Sequence, residues 1–165
     1  MDIVNSIARS VEDFILFMKP LELNAMDQGY ALNIISAQVA QETGWGRYVI
    51  GKNLFNIKAT DNWHGSTAEV WTTEYIHGKP IQVKAVFRDY PSYDDSLNDY
   101  IALIKMPRYT EAWENRLNAE KYFKGLVKGG YATDPIYARN LIRRYDKICE
   151  LMLKSLKIIT EYHKS

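Results

Sequence analysis

Apolar side chains recur at intervals of three and four near the start of the chain: Ile3, Val4, Ile7, Ala8, Val11, Phe14, Ile15 and Met18. That period predicts an amphipathic helix ending before Pro20. A second helix is predicted from about Tyr30 to Glu42, with Leu32, Ile35 and Val39 on one stripe and Gly44 and Gly46 stopping it. From Gly51 to Tyr90 the helical period is lost. Two β-rich runs, Glu69 to Tyr75 and Ile81 to Arg88, flank the turn residues His77-Gly-Lys-Pro80, which predicts a β-hairpin. Helical spacing then returns. Ser92 and Asp95 have capping-box spacing, and Leu97, Tyr100, Ile101 and Ile104 form a buried stripe that Pro107 ends. Ala119, Phe123, Leu126 and Val127 mark another helix, closed by Gly129-Gly130. Asp134-Pro135 predicts the start of the last one, with Asp as N-cap and Pro at the first helical position. Its broad apolar face runs from Ala138 through Leu141, Ile142, Tyr145, Ile148, Cys149 and Met152 to Leu156.

The pattern is helices, a small β insertion at about 51–90, then helices, with no repeat, linker or low-complexity stretch. This predicts an α+β fold in one domain, 1–165. Composition agrees: 165 residues are enough for one sizeable core, and 47% hydrophobic with 25% charged residues is ordinary globular usage. The formal net charge is only +1, which supplies no long-range field for nucleic acid or an anionic membrane. Arg139, Arg143 and Arg144 are read as a solvated helix face. The single cysteine, Cys149, excludes an intrachain disulfide. No basic n-region precedes an apolar stretch at the N-terminus, and no run approaches ~18 apolar residues, so neither a secretory signal nor a membrane span is expected. His64, His77 and His163 lack ligand spacing, and no metal is expected. Twelve Tyr and four Trp supply rings with one apolar face and a polar tip, suited to sugar clefts as well as to cores.

Glu42 stands out among the carboxylates. It continues the stripe of Leu32, Ile35 and Val39, which desolvates it, and it lies in the last helical turn, where the dipole disfavours a second negative charge. Both effects raise its pKa, the condition a general acid for glycoside cleavage needs. A second carboxylate could come from the hairpin. Glu69 and Glu74 are five positions apart and face opposite sides of a strand, and spacing does not choose between them.

Gln41-Glu42-Thr43-Gly44-Trp45-Gly46 resembles the Glu-Ser-Gly-Trp-Gly signature of the flagellar-type and autolysin-type glucosaminidases, glycoside hydrolase family 73. Asn53-Leu-Phe-Asn-Ile-Lys58 is similar to that family's Asn-Leu-Phe-Gly-Ile-Lys. Trp63 and Gly65, Thr72-Thr-Glu-Tyr75, Phe87-Arg88 with Tyr90 and Ser92, Pro107-Arg-Tyr109 and Gly130-Tyr-Ala-Thr-Asp-Pro-Ile-Tyr-Ala138 follow in order. The resemblance covers roughly Gln38 to Ile148 and leaves the tail past about Met152 uncovered. Thr43 stands where the family has Ser, and Asn56 where it has Gly. Asn tolerates left-handed backbone, so the turn can survive the change.

The resemblance implies a lysozyme-like fold, with a cleft between a helical lobe and a β-hairpin lobe, and an endo-β-N-acetylglucosaminidase cutting the GlcNAc-β-1,4-MurNAc bond of peptidoglycan. It places the acid at Glu42, the second carboxylate at Glu74 and a functional tyrosine at Tyr131, and it implies no cofactor. Trp45, Phe55, Trp71 and Tyr137 become candidates for sugar stacking, with Asn53 supporting the cleft. Inverting, retaining and substrate-assisted chemistry stay open. The rivals are a muramidase or lytic transglycosylase on the same fold, and a catalytically silent glycan-binding or assembly domain. The expected partner is the glycan strand, met by a monomer. With no signal peptide, the expectation is synthesis in the cytoplasm and release by a holin or export apparatus, or excision from a larger protein.

Overall fold

The computed structural model describes the backbone of residues 4–76 and 79–162 and the side chains of residues 4–72 and 80–157. Among the described residues, four strands and six helices follow one another: β1 (Val4–Asn5), α1 (Val11–Asp27), α2 (Ile34–Thr43), β2 (Val49–Ile50), β3 (Thr67–Ile76), β4 (Lys79–Arg88), α3 (Tyr93–Ile104), α4 (Thr110–Glu114), α5 (Ala119–Lys128) and α6 (Tyr137–Tyr162). A single 3-10 turn, Pro107–Tyr109, precedes α4. None of the described helices is long and apolar enough to cross a membrane.

The first helix begins later than its apolar period suggests, and it runs straight through Pro20. Ser10 sets the start with a capping box. Its Oγ accepts the Asp13 N–H at 3.0 Å, and Asp13 Oδ2 accepts the Ser10 N–H at 3.2 Å. Before that cap, Val4 and Asn5 form a strand paired antiparallel with Ile50 and Val49, and residues 6–9 are irregular; Ile3 lies outside the described residues. Pro20 is tolerated because it lies on the exposed face, where water can satisfy the Leu16 carbonyl that loses its helical donor. The opposite face buries Phe14, Met18, Leu21 and Ala25.

Helix α2 is not amphipathic. Residues 33 to 40 and Thr43 are all buried, so the helix threads the centre of the domain, packed against α1 and α6. Leu32 is 41% exposed and precedes the helix, so it belongs to no stripe with Glu42. Asn33 enters with a φ of 70° and gives no side-chain cap. The buried Glu22 carboxylate from α1 does so instead, accepting the Asn33 N–H at 3.0 Å and the Ser36 N–H at 2.5 Å.

The hairpin is as predicted, β3 antiparallel to β4 from Thr67↔Arg88 to Ile76↔Lys79. Its turn residues His77 and Gly78, and likewise His163, lie outside the described residues. Lys79 and Pro80 belong to β4 rather than to the turn. Ala68, Ala85 and Phe87 face the core, whereas Glu69 and Trp71 face out. The hairpin root is tied to α3 through Asp99, whose Oδ2 accepts from Arg88 Nη1 at 2.8 Å and from the Tyr90 hydroxyl at 2.7 Å. The loop before the hairpin is laced to β4 by Arg88 N–H to Ile57 O at 3.0 Å and Ala59 N–H to Val86 O at 2.9 Å.

Helices α3 and α5 match their predicted stripes, and Ser92 and Asn118 cap them. The regular turns of α6 begin at Tyr137. Asp134 stands one turn earlier, where its Oδ1 accepts the Ile136 N–H at 2.9 Å. The short α4 had no periodic signal because five residues are barely one helical turn.

Candidate active site

Glu42 is the next-to-last residue of α2, and Gly44 closes the helix in the left-handed conformation at φ 56°. Thr43 folds the Gly-Trp-Gly turn that follows. Its hydroxyl donates to Val39 O at 2.7 Å and accepts the Gly46 N–H at 2.8 Å. A serine hydroxyl can make the same two bonds, so this departure from the family signature leaves the turn intact. Trp45 sits at φ 64°, partly buried, with its ring edge-on to Phe14 at 5.5 Å.

Donors from two segments converge on the Glu42 carboxyl. The Tyr137 hydroxyl, at the start of α6, donates to Oε1 at 2.5 Å. The same hydroxyl accepts from Gln38 Nε2 at 2.8 Å, one turn back along α2. Asn56, in the loop before the hairpin, donates through Nδ2 to Glu42 Oε2 at 3.2 Å and to the Glu42 carbonyl at 2.8 Å. Burial pushes the Glu42 pKa up, while Tyr137, Asn56 and the charge of Arg144 pull it part of the way back. The same surroundings raise the pKa of Tyr137, first through burial and then through the Glu42 charge, so Tyr137 stays a proton donor in the hydrogen bond. This set holds one carboxyl oxygen firmly and the other loosely, in a partly buried site. A carboxyl so placed can carry a proton on Oε2 and pass it outward.

Tyr131 lies beside this centre. Its ring packs on Tyr137 at 6.1 Å with 28° between planes, and its hydroxyl donates to Phe55 O at 2.7 Å. Burial raises its pKa first, and the Glu42 charge adds to the effect. Tyr131 thus ties the loop carrying Asn56 to the segment leading into α6.

Other residues named from the sequence are placed differently. Phe55 is 1% exposed and stacks on Tyr100 at 4.0 Å, so it is a core ring with no face for a sugar. Asn53 is fully buried. Its Nδ2 donates to Ile57 O at 2.9 Å and Arg88 O at 2.8 Å, and its Oδ1 accepts the N–H groups of Phe55 and Ile57. These four bonds exhaust its capacity, so Asn53 organises the loop rather than touching substrate. Tyr137 is 5% exposed and spends its hydroxyl on Glu42 and Gln38; it shapes the carboxyl instead of stacking on a sugar. Trp71 is 66% exposed, with Lys84 Nζ 5.6 Å from its ring centroid and Glu69 paired to the same lysine at 3.3 Å. Among the described residues, the contacts of Trp71 and Glu69 on that outer face are with Lys84 and not with Glu42, Tyr137 or Asn56. Glu74 pairs in register with Ile81, and its side chain is outside those described.

Three contributors were not singled out for these roles from the sequence. Gln38 lies four residues before Glu42, which is the helical signal that could have found it. Asn56 was visible only as a departure from a motif. Arg144, read as part of a solvated face, is partly buried: its Nε is enclosed with no hydrogen-bond partner among the described residues, and its charge acts on Glu42. Burial lowers its pKa, with Glu42 and Tyr137 opposing.

A family model described as mannosyl-glycoprotein endo-beta-N-acetylglucosaminidase matches residues 19–150. The chain is 39% identical over 147 residues to the peptidoglycan hydrolase FlgJ of Vibrio parahaemolyticus, covering 84% of this chain and 48% of that protein. It therefore spans about half the length of the curated relatives it matches. Among solved structures it is similar to a peptidoglycan hydrolase mutant from Sphingomonas sp. A1, with a TM-score of 0.76 and 33% identity over 88% of this chain and 99% of that one. It is also similar to a C-terminally truncated glycoside hydrolase domain of FlgJ from Salmonella typhimurium, with a TM-score of 0.70 and 38% identity over 86% of this chain and 99% of that one. With the family model spanning most of the chain and the lysozyme-like architecture shared, the chain belongs to the glucosaminidase family, glycoside hydrolase family 73.

Proposed function

We propose that this chain hydrolyses the GlcNAc-β-1,4-MurNAc bond of peptidoglycan, with Glu42 as the general acid. The observation that carries the reading is the Glu42 carboxyl itself. Burial raises its pKa and so favours the protonated form, and Tyr137 and Asn56 hold it in one orientation. Protonation of the leaving oxygen is common to inverting, retaining and substrate-assisted cleavage, so the acid role holds for each. Substrate class is supported by relatives that bear the name peptidoglycan hydrolase.

Glu74 is the second carboxylate in this reading. Strand alternation supports it over Glu69. Position 74 has the parity of Ala68, on the core-facing side of the hairpin, while Glu69 points out and pairs with Lys84. Tyr131 is assigned the neighbouring role of holding the Phe55 carbonyl and closing the site between loop and helix.

Digesting purified wall and reducing the new ends with borohydride tests the reading. N-acetylglucosaminitol is the expected product. Muramitol would indicate a muramidase, and anhydromuramic ends a lytic transglycosylase. Glu42→Gln should abolish release of either alditol, and unchanged clearing of wall by that variant would remove Glu42 from the acid role.

A further inference from the structure

Asn56 is the position where this chain departs from the Asn-Leu-Phe-Gly-Ile-Lys pattern it otherwise resembles. Glycine at that point would offer no side chain. Asn56 keeps the left-handed backbone, at φ 51°, and adds a carboxamide aimed at the end of α2. Both hydrogens of its Nδ2 are used, one on the Glu42 carbonyl at 2.8 Å and one on Glu42 Oε2 at 3.2 Å.

We propose that Asn56 is a positioning residue for the acid, joining the Glu42 carboxyl and the last turn of α2 to the loop before the hairpin. The inference rests on the reading of Glu42 as the general acid.

The loop is built to hold this side chain still. Asn53 bonds the backbone on both sides of it, the Phe55 ring stacks on Tyr100, and the Tyr131 hydroxyl fixes the Phe55 carbonyl. The donor is therefore in place before substrate arrives. Its two bonds differ in chemistry. The bond to the carbonyl is the same in every protonation state. The bond to Oε2 is to the oxygen left to carry the acidic proton, because Oε1 already accepts the short bond from Tyr137. As that proton leaves for the glycosidic oxygen, negative charge grows on Oε2 and the Asn56 bond strengthens with it. Asn56 thus favours the ionised carboxylate and makes Glu42 a stronger acid than burial alone would leave it. The other groups acting on this carboxyl are Tyr137 and Arg144 on α6 and Tyr131 just before it; the Gln38 amide acts through Tyr137. Asn56 is the only donor among them that glycine would remove.

The test is a pH profile of initial rates on purified wall at low substrate, measured for the parent, Asn56→Gly, Asn56→Asp and Glu42→Gln. Both Asn56 replacements tolerate a left-handed backbone, so both should melt close to the parent. The alkaline limb marks loss of the acid's proton. In Asn56→Gly that limb should move to higher pH, so that beyond the parent's midpoint the variant keeps about threefold more of its own maximal rate. Asn56→Asp, of the same shape but with an acceptor in place of the donor, should move the limb further in the same direction. A side chain that only braced the loop would lower the rate evenly across pH, and unmoved limbs in both variants would overturn the proposal while an inactive Glu42→Gln leaves the acid assignment standing. An active Glu42→Gln would overturn both.

Discussion

The Glu22 carboxylate, on α1, accepts the Ser36 backbone N–H at 2.5 Å and so closes the N-terminus of the helix that carries Glu42 in its last turn. The two carboxyls occupy opposite ends of one buried helix. Glu22 meets free N–H groups and the positive end of the dipole, and Glu42 meets the negative end. Glu22→Ala would leave the Asn33 and Ser36 N–H groups buried without acceptors, at a cost of about 3 kcal/mol. For a domain of this size that is a fall in Tm of roughly 6–12 °C, read by calorimetry. A Tm within about 1 °C of the parent would mean the helix is capped by other means.

Glu42→Gln keeps the shape and removes the proton. Activity on wall should fall by about 10²–10⁴-fold. The same variant should be the more stable protein at neutral pH. Burial raises the folded pKa of Glu42 above its unfolded value, so the stability it contributes as a neutral carboxyl is full below the ordinary carboxyl range. That stability is lost as pH rises through the raised value. Glutamine has nothing to ionise. The Tm gap between variant and parent should be smallest at acid pH, below the ordinary carboxyl range, and widen in the variant's favour as pH rises. A gap that stays constant with pH would contradict desolvation of the carboxyl.

How much of this site could be read from the chain depends on how local each part is. The hairpin and the stripes of α3 and α5 were legible because alternation, spacing and caps are encoded within ten or so neighbouring residues. Glu42 was legible as a residue through the motif around it. The stripe that seemed to bury it was not there: Leu32 is exposed and outside the helix, while α2 is buried on all sides. What surrounds the carboxyl arrives from 14 positions away at Asn56 and 95 positions away at Tyr137, and no local period encodes such contacts. Arg144 was lost for the same reason. An arginine on a polar helix face reads as solvated until the fold sets that face beside a buried carboxylate. Pro20 misled by a different route, since a rule about helix breaking does not know which face will meet water.

Tyr137→Phe keeps the ring and deletes the donor to Glu42 Oε1. It also leaves the buried Gln38 amide hydrogen without its acceptor. A bond of this kind to a charged group is worth about 1.5–3 kcal/mol, so the rate should drop by roughly tenfold or more. With one stabiliser of the carboxylate gone, the alkaline limb of the pH profile should rise. A parent-like profile would place the hydroxyl outside the acid's surroundings.

Arg144 acts through charge rather than contact. Arg144→Met keeps an apolar stem and removes the cation that favours ionised Glu42. The alkaline limb should shift upward here also, and the parent's limb should drift the same way in high salt, which screens the arginine partly. Stability should change by only about 0.5 kcal/mol, because the Nε that would be lost is buried without a bonding partner. A large fall in Tm with an unmoved limb would assign Arg144 to packing alone.

Phe55 and Trp71 were two of the four candidates for sugar stacking, and their surroundings divide them. Phe55→Ala would empty a closed space between Tyr100 and the loop that carries Asn56, at a cost of about 3–5 kcal/mol. Its loss of activity should track unfolding and recover where temperature or an osmolyte restores the fold. Trp71→Ala removes a ring that stands mostly in solvent over Lys84, so Tm should stay within about 2 °C. Any activity lost by Trp71→Ala would therefore come from wall binding on the outer face of the hairpin, visible as weaker pull-down on insoluble wall. Equal destabilisation of the two variants would contradict the packing described for Phe55.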